Sequence, residues 1–229
     1  MSRLDNSEDF QDKHREILVQ GCAQFNFALP ANFTEKTEKF LKLLNRWNKI
    51  HNLTAIRNCE EQIYLHIFDC LAALPYAENS LRNNPTVSEQ ITVADIGSGA
   101  GFPGLVWAIA KPNWKIFTVE SAHKKASFLQ EAKRHLELTN TTVIASRVED
   151  WKITENIDLI VARAVANADK FLEQAGHLIN HDNCLGMMKA RSEEKITNPA
   201  FQKINCEKIS VPKLDAERIW IEIRRSTKN

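Results

Sequence analysis

The segment DIGSGAGFPG (95–104) contains four of the chain's seven glycines and directly follows a short apolar run. Glycine adopts positive φ without strain and carries no Cβ, so a glycine-rich turn lets the backbone lie against a ligand. The spacing of Gly99, Gly101 and Gly104 fits the G-x-G-x-x-G fingerprint of dinucleotide-binding folds, in which an acid such as Glu120 follows about 20 positions later. The segment therefore predicts a site for a nucleotide-like ligand.

Three features favour S-adenosylmethionine over a dinucleotide as that ligand. Asp95, two residues ahead of Gly97, places a carboxylate at the strand end, where it suits a cationic amino-acid group directly or through the backbone amides that it orders. Pro103 removes an amide that would help to grip a pyrophosphate. The chain also predicts one β-α-β-α-β half with a β ending, rather than a second mononucleotide-binding half.

The ends of the later strands supply further candidate groups. Glu120 ends the second strand, where its carboxylate can accept both ribose hydroxyls; an exposed strand-end acid is the alternative. After the third strand, Val148 and Glu149 offer an apolar contact for adenine and an acceptor for its exocyclic amine, although an acid favoured by a helix dipole would show the same pattern. Arg163 ends the fourth strand, so we expect its charge to point into the crevice.

A doubly wound α/β core would bring these groups together. From residue 91 onward, short β-branched runs alternate with amphipathic helical stretches, which predicts a parallel sheet covered on both faces. The predicted strands are 91–96, 115–120, 142–145 and 157–162. A polar helix-like stretch is expected after residue 190. The run RIWIEIR (218–224) alternates strictly and predicts an antiparallel strand with Ile219, Ile221 and Ile223 on one face.

The first eighty residues predict a helical extension. One apolar stripe recurs at three-to-four spacing, and Asn32 and Glu35 ahead of it are spaced like a capping box. Its members are Phe40, Leu43, Leu44, Trp47 and Ile50. A second helix is predicted from near Glu60 and is expected to end at Pro75. Its stripe is Ile63, Ile67, Leu71 and Leu74. The polar segment 77–90 follows, so the predicted domains are a helical extension (1–80) and a ligand-binding core (81–229).

Composition excludes several classes of protein. Thirty basic and twenty-nine acidic residues give a net charge of +1, so any nucleic-acid contact must be local. Two basic stretches, 36–57 and 203–228, qualify, with solvated faces as the alternative. The polar start and the lack of a long apolar run predict a soluble, cytoplasmic protein. Five scattered cysteines without CxxC spacing predict neither a disulfide framework nor a metal site.

An ordered set of motifs between about residue 36 and residue 225 resembles a known family, the bacterial 16S rRNA guanine-N7 methyltransferase G, also called glucose-inhibited division protein B. The motifs are WNKIHNLTAIR (47–57), HIFDCLAALP (66–75), DIGSGAGFPG (95–104), VESAHKKASFL (119–129), SRVED (146–150), VARAVA (161–166), MMKA (187–190) and VPKLDAERIWIEIR (211–224). The resemblance implies a class I methyltransferase (Rossmann-like) fold with a small N-terminal helical extension. It also implies methylation of a single guanine, guanosine 527 in the 530 loop of 16S rRNA.

The resemblance also implies cofactor contacts at named positions. These are Gly97, Phe102, Val148, Glu149 and Arg163; Gly99 and Glu120 are cofactor candidates from the glycine motif and the strand end alone. Cys70 stands where the family more often has serine, Phe102 where it has leucine and Glu120 where it has aspartate. None of these departures removes a needed chemical group, although the bulkier Phe102 is a candidate to alter cofactor packing.

The segment after the fourth strand agrees with attack by guanine N7. The sequence ARAVA lacks the Asn/Asp-Pro-Pro-aromatic loop common in methylation of exocyclic amines, and it lacks the cysteine nucleophile needed at pyrimidine carbon 5. Guanine N7 has an in-plane lone pair and no proton to lose. Catalysis then reduces to orientation, which contributes several kcal/mol, so we predict no catalytic acid or base.

Candidate substrate contacts lie in the extension and at strand ends. Asn52, Arg57, His66 and Asp69 are expected to be brought together by the extension, either to contact RNA or to fasten the extension to the core. In the core, Arg147 and Lys189 are placed to meet phosphate or the guanine Hoogsteen edge.

The predicted partner is 16S rRNA, the small ribosomal subunit or its assembly intermediate, and we expect a monomer. An NAD-dependent oxidoreductase and a non-catalytic RNA-binding assembly protein with the same fold are the rival interpretations.

Overall fold

The computed structural model describes residues 10–83, 89–190 and 195–227, and its centre is one seven-stranded sheet. The strands are β1 (Thr92–Ile96), β2 (Lys115–Val119), β3 (Thr141–Ile144), β4 (Leu159–Arg163), β5 (Cys184–Lys189), β6 (Phe201–Lys208) and β7 (Ile219–Arg225). Their order is β3-β2-β1-β4-β5-β7-β6. The pairs from β3 to β5 are parallel, and β7 runs antiparallel to both neighbours. The predicted α/β class, with an antiparallel C-terminal strand, is confirmed.

The strand order reverses beside β1. The chain proceeds from β1 outward to β2 and β3, then crosses back so that β4 pairs with the other side of β1. In open α/β sheets such a reversal opens a crevice outside the carboxyl ends of the strands. The turns that follow β1, β2, β3 and β4 are therefore brought to one edge of the sheet.

Helices cover both faces of the sheet. They are α1 (Asp12–Cys22), α2 (Phe33–His51), α3 (Cys59–Gln62), α4 (Asp69–Arg82), α5 (Gly104–Ala110), α6 (His123–His135) and α7 (Ala168–Ala175). Alternate residues of β4 face opposite sides: Leu159 and Val161 join an apolar cluster that includes residues of α2, α4, α5 and α6, and Ile160 joins one beneath α7. None of the described helices is long and apolar enough to cross a membrane.

Several local predictions about the helices are wrong. Pro75 lies inside α4, which continues to Arg82, and a π-helical turn (Ile63–Phe68) separates α3 from α4. Ile50 is 74% exposed, so it does not join the buried face of α2. The side chain of Asn32 makes no capping hydrogen bond.

Two segments differ from their predicted roles or lie outside the description. The described part of the polar stretch after residue 190, residues 195–200, is not helical, and β6 follows it. The central part of the predicted connection, residues 84–88, lies outside the described residues. The division into 1–80 and 81–229 stays a prediction.

Candidate active site

The glycine turn joins β1 to α5 and presents backbone to the crevice. Gly97 has φ +72°, and a Cβ added to it would meet no atom within 4 Å. Its amide donates to the carbonyl of Val119 at 2.9 Å, which fixes the turn to the end of β2. The positive φ favours glycine at this position, and the open space beside Gly97 leaves its backbone accessible from the crevice.

Glu120, directly after β2, braces the same turn. Its Oε2 accepts from the amide of Gly99 at 2.9 Å, and its Oε1 accepts from the amide of Ala122 at 2.8 Å. Only 7% of the residue is exposed. Each carboxylate oxygen has a second lone pair, so the group can accept further hydrogen bonds from a ligand while it holds the backbone.

Asp95 lies beneath the turn rather than in the crevice. It is fully buried, and its Oδ2 accepts from the amide of Gly104 at 2.9 Å. Burial raises the pKa of Asp95 to about 7, against the lowering effect of the Gly104 hydrogen bond. A Cβ on Gly104 would lie 2.6 Å from Oδ2 of Asp95, so glycine allows α5 to begin close against β1. The carboxylate therefore acts on the crevice through a backbone amide that it orders.

A cavity of about 420 Å³ opens at the carboxyl ends of β1, β2, β3 and β4; we call it the strand-end cavity. The predicted residues that line it are Gly97, Glu120, Arg147, Val148, Glu149 and Arg163. Val148 and Glu149 lie on a 3₁₀ turn after β3. The volume of the strand-end cavity is within the range of small-molecule and cofactor sites. Arg147, predicted from sequence as an RNA contact, lies in this lining as well.

Phe102 lies outside this lining. Its ring stacks on the imidazole of His66, with centroids 4.2 Å apart and planes at 22°, and it also packs 5.4 Å from the ring of Phe40. The residue therefore connects the glycine turn to the helical extension through apolar contact. Its role as a cofactor contact stays a prediction.

Arg163 is held by the extension. Its Nη2 donates to the carbonyl of Leu65 at 2.7 Å, and its Nε lies 3.2 Å from Oδ2 of Asp69. The other oxygen of Asp69 accepts from Nε of Arg218 at 2.8 Å. One buried carboxylate thus joins the guanidinium at the end of β4 to the guanidinium just before β7.

His66 belongs to the same cluster. Its Nε2 lies 3.0 Å from the hydroxyl of Thr54, and its Nδ1 lies 3.2 Å from Nη2 of Arg163. Burial lowers the pKa of His66 to about 3, with a further lowering from the charge of Arg163. The imidazole is therefore neutral at neutral pH. For His66 and Asp69 the observed contacts are those of a hydrogen-bond cluster that fastens the extension to the core.

Asn52 and Arg57 form a separate, exposed pair. Asn52 ends α2 in the left-handed conformation, and its Oδ1 accepts from Nη2 of Arg57 at 2.7 Å. The four predicted extension residues therefore fall into two groups, one buried and one exposed. For the exposed pair, contact with RNA stays a prediction.

Arg218 and Lys189 define a second, smaller cavity of about 130 Å³, which we call the cationic cavity. It is lined by Asp69, Arg163, Ala164, Met188, Lys189, Ala190, Ile209, Arg218 and Ile219. Sequence reasoning placed Lys189 near a strand end but missed Arg218. A charged residue directly ahead of the alternating β7 run was the available signal. Among the described residues, no cluster of three or more His, Cys, Asp or Glu side chains could hold a metal ion.

Sequence comparison identifies close relatives. A family model described as rRNA small subunit methyltransferase G matches residues 33–220. The ribosomal RNA small subunit methyltransferase G of Dichelobacter nodosus is 36% identical over 212 residues, covering 93% of this chain and 96% of that protein. The protein of the same name from Methylobacillus flagellatus is 36% identical, covering 89% of this chain and 95% of that protein.

Structural comparison supports the fold. A solved variant of MtNAS in complex with S-adenosylmethionine matches with a TM-score of 0.53 at 9% identity, covering 93% of this chain and 77% of that one. Together with the strand order, this confirms the predicted class I (Rossmann-like) methyltransferase fold.

Proposed function

The chain belongs to the rRNA small subunit methyltransferase G family, and we propose that it methylates N7 of one guanine in 16S rRNA, guanosine 527 in the 530 loop. S-adenosylmethionine is the methyl donor. The observation that carries the proposal is the strand-end cavity, in which a turn free of side chains at Gly97 lies beside the braced carboxylate of Glu120. Family membership shows an rRNA methyltransferase; the choice of N7 and of guanosine 527 is what the resemblance of the sequence motifs implies, and the chemistry of the site agrees with N7.

The strand-end cavity fits the donor in size and in polarity. The open space at Gly97 accepts a group that a Cβ would exclude. The remaining lone pairs of Glu120 suit the two ribose hydroxyls, and Val148 and Glu149 suit the face and the exocyclic amine of adenine. When bound, S-adenosylmethionine supplies an electrophilic methyl group.

Guanine N7 suits a site in which the chain contributes orientation. The nitrogen attacks through a lone pair in the ring plane and loses no proton, so no side chain has to act as a base. Positioning of two reactants can contribute several kcal/mol to the barrier. In this chain, Glu120 and the glycine turn hold one reactant, while Arg163 is fixed at the cavity wall by Asp69 and the carbonyl of Leu65.

The predicted partners and location follow from this function. The substrate is 16S rRNA in the small subunit or in an assembly intermediate, which agrees with the name of the family. We propose that the protein works as a monomer in the cytoplasm.

The direct test is transfer of radiolabelled methyl groups from S-adenosylmethionine to small subunits that lack 7-methylguanosine, followed by mapping of the modified base. Labelled 7-methylguanosine at guanosine 527 is the expected result. Glu149→Ala should lower transfer by weakening donor binding, whereas Glu155→Ala, near the opposite ends of the strands, should not. Label on another atom or nucleotide, or no label in rRNA, would overturn the proposal.

Ligand titration separates the rival functions. S-adenosylhomocysteine should bind and NADH should not; the reverse result would favour an oxidoreductase. Cofactor binding without methyl transfer to any ribosomal substrate would instead favour a non-catalytic assembly protein.

A further inference from the structure

The cationic cavity adjoins the strand-end cavity. Arg163 and Ala164 line both, so the two spaces lie on either side of the segment that ends β4. The cationic cavity is also lined by Asp69, Lys189 and Arg218, which do not line the strand-end cavity. A group bound in the cationic cavity would therefore lie beside the donor, on the side where β5 ends and β7 begins.

The charges of the cationic cavity favour an anion. Three of its lining residues, Arg163, Lys189 and Arg218, carry basic groups, and only Asp69 carries an acid. Each oxygen of that carboxylate already faces a guanidinium, at 2.8 Å from Arg218 and 3.2 Å from Arg163. A guanidinium has five N–H donors, so each arginine can serve Asp69 and a ligand together. The described lining thus has an excess of positive charge.

The size of the cationic cavity and the charge of the methylated product limit which anionic group can bind there. A volume of about 130 Å³ is well below that of the strand-end cavity, so the space suits a group smaller than a whole nucleoside. Methylation at N7 also turns a neutral guanine into a cation. Positive charge beside the base would disfavour that product, whereas an RNA phosphate would be attracted before and after transfer.

We propose that the cationic cavity binds a phosphodiester group of the RNA strand next to the acceptor guanine, with Lys189 and Arg218 as its donors. This rests on the proposed function, since it needs RNA as substrate. The contact would fix the register of the strand, so that the acceptor base faces the strand-end cavity. Phosphate contacts commonly set position in this way while carrying no sequence information.

The test compares the salt dependence of 16S rRNA binding by the wild type, Lys189→Met and Lys189→Arg. Each phosphate contact contributes about 0.7 to 0.9 to the slope of log K against log salt. Lys189→Met should lower the slope by that amount, which is about threefold less loss of affinity between 50 and 200 mM salt. Lys189→Arg should keep the slope, and the affinity of both variants for S-adenosylhomocysteine should stay within about twofold of the wild type.

The matched control is Arg134→Met, which also removes one positive charge, because Arg134 is exposed in the last turn of α6 and lines neither cavity. It should leave the slope and methyl transfer unchanged. An unchanged slope for Lys189→Met, or an equal fall for Arg134→Met, would overturn the phosphate site.

A contact to the base would give a different result. The slope would then be kept, and the effect of Lys189→Met would vanish on RNA with 2-aminopurine, which lacks O6, at the acceptor position; that also overturns the proposal. If the wild type fails to methylate guanine N7, the proposed function fails whatever the slopes. If it methylates and the slope is unaffected, only the phosphate site fails.

Discussion

At the scale of single residues, the carboxylate of Glu120 holds the glycine turn through two backbone hydrogen bonds and also places a negative charge at the strand-end cavity. Both of its oxygens accept backbone amides, from Gly99 and from Ala122, so the negative charge and the shape of the turn are fixed together. A carboxylate accepts at both oxygens, whereas an amide side chain accepts at one and donates at the other. We therefore expect even glutamine, which has nearly the same volume, to be a poor replacement for Glu120.

Glu120→Gln should weaken binding of S-adenosylhomocysteine by about tenfold or more, because one backbone amide would then face a donor and the ribose would lose a charged acceptor. Isothermal titration calorimetry measures this directly. Glu131→Gln is the matched control, since Glu131 lies on α6 and pairs with Arg134 away from the cavity. Wild-type affinity for Glu120→Gln would show that the carboxylate does not contact the ligand.

Asp95 predicts a pH dependence of stability. Burial raises its pKa to about 7 in the folded chain, against about 3.9 for an ordinary aspartate. Between these values the folded chain keeps a proton that the unfolded chain has released, so this residue's contribution to stability falls as pH rises from about 4 to about 7 and is level above. Asp95→Asn cannot ionise and keeps an oxygen for the amide of Gly104.

The stability of Asp95→Asn relative to the wild type should therefore increase by about 3 kcal/mol between pH 5 and pH 8. Urea unfolding at several pH values measures the trend. Asp150→Asn, on the exposed 3₁₀ turn after β3, should show no comparable trend. A constant difference between Asp95→Asn and the wild type would contradict the buried, proton-holding carboxylate.

The sequence could place most cavity residues, because the ends of successive parallel strands share one edge of the sheet. Glu120, Glu149 and Arg163 follow from strand prediction alone. The position of Phe102 does not, since its ring packs on His66 of the extension. Arg218 was missed for the same reason: its partner, Asp69, lies 149 positions away along the chain. The charge of Arg218 ahead of β7 is visible in the sequence, but its pairing with Asp69 has no local pattern.

At the scale of elements, the junction between β1 and α5 depends on two glycines for different reasons. Gly97 has positive φ and open space beside it, whereas Gly104 lies so close to Asp95 and Thr118 that a Cβ would come within 3 Å of each. At the first position the turn requires positive φ, and the open space beside it is where we predict that the ligand binds. The second is required by the packing of the helix on the sheet.

Gly97→Ala should cost about 1 kcal/mol of stability, from the left-handed backbone, and should weaken S-adenosylhomocysteine binding by at least tenfold. Gly104→Ala should cost about 1 to 3 kcal/mol, because the helix has to move away from the strands. Thermal unfolding and calorimetry on both variants separate the two effects. If Gly97→Ala lost the expected stability but bound S-adenosylhomocysteine like the wild type, the ligand would not approach the turn.

Helix boundaries were harder to predict than strands. Proline in a helix interior costs about 3 kcal/mol, so the rule that ends a helix at Pro75 is sound locally. In this chain α4 continues because Ala77, Ser80 and Leu81 beyond the proline are all buried. The π-helical turn before α4 likewise has no signal in the spacing of apolar residues. For α4, burial of the residues beyond the proline overrides the local rule.

At the scale of the whole molecule, the first helices and the last strand are joined by a buried polar network. The hydroxyl of Ser80 in α4 donates to Glu222 of β7 at 2.7 Å and accepts from Nε1 of Trp220 at 3.2 Å. Arg224 closes the network, with Nε on Glu222 and Nη2 on the carbonyl of Ser80. The predicted boundary at residues 80 and 81 therefore falls beside contacts that span the chain.

Ser80→Ala should lower the free energy of unfolding by about 3 kcal/mol, because it removes a partner from a buried carboxylate and from a buried indole N–H. Urea unfolding measures the loss, and hydrogen exchange shows whether the helices α1 to α4 and the strands lose protection together. Ser210→Ala, at an exposed site, should change stability by less than about 0.5 kcal/mol. Since the network joins the two ends of the chain, we expect a joint loss in Ser80→Ala; early exchange confined to α1–α4 would instead favour an extension that unfolds separately from the core.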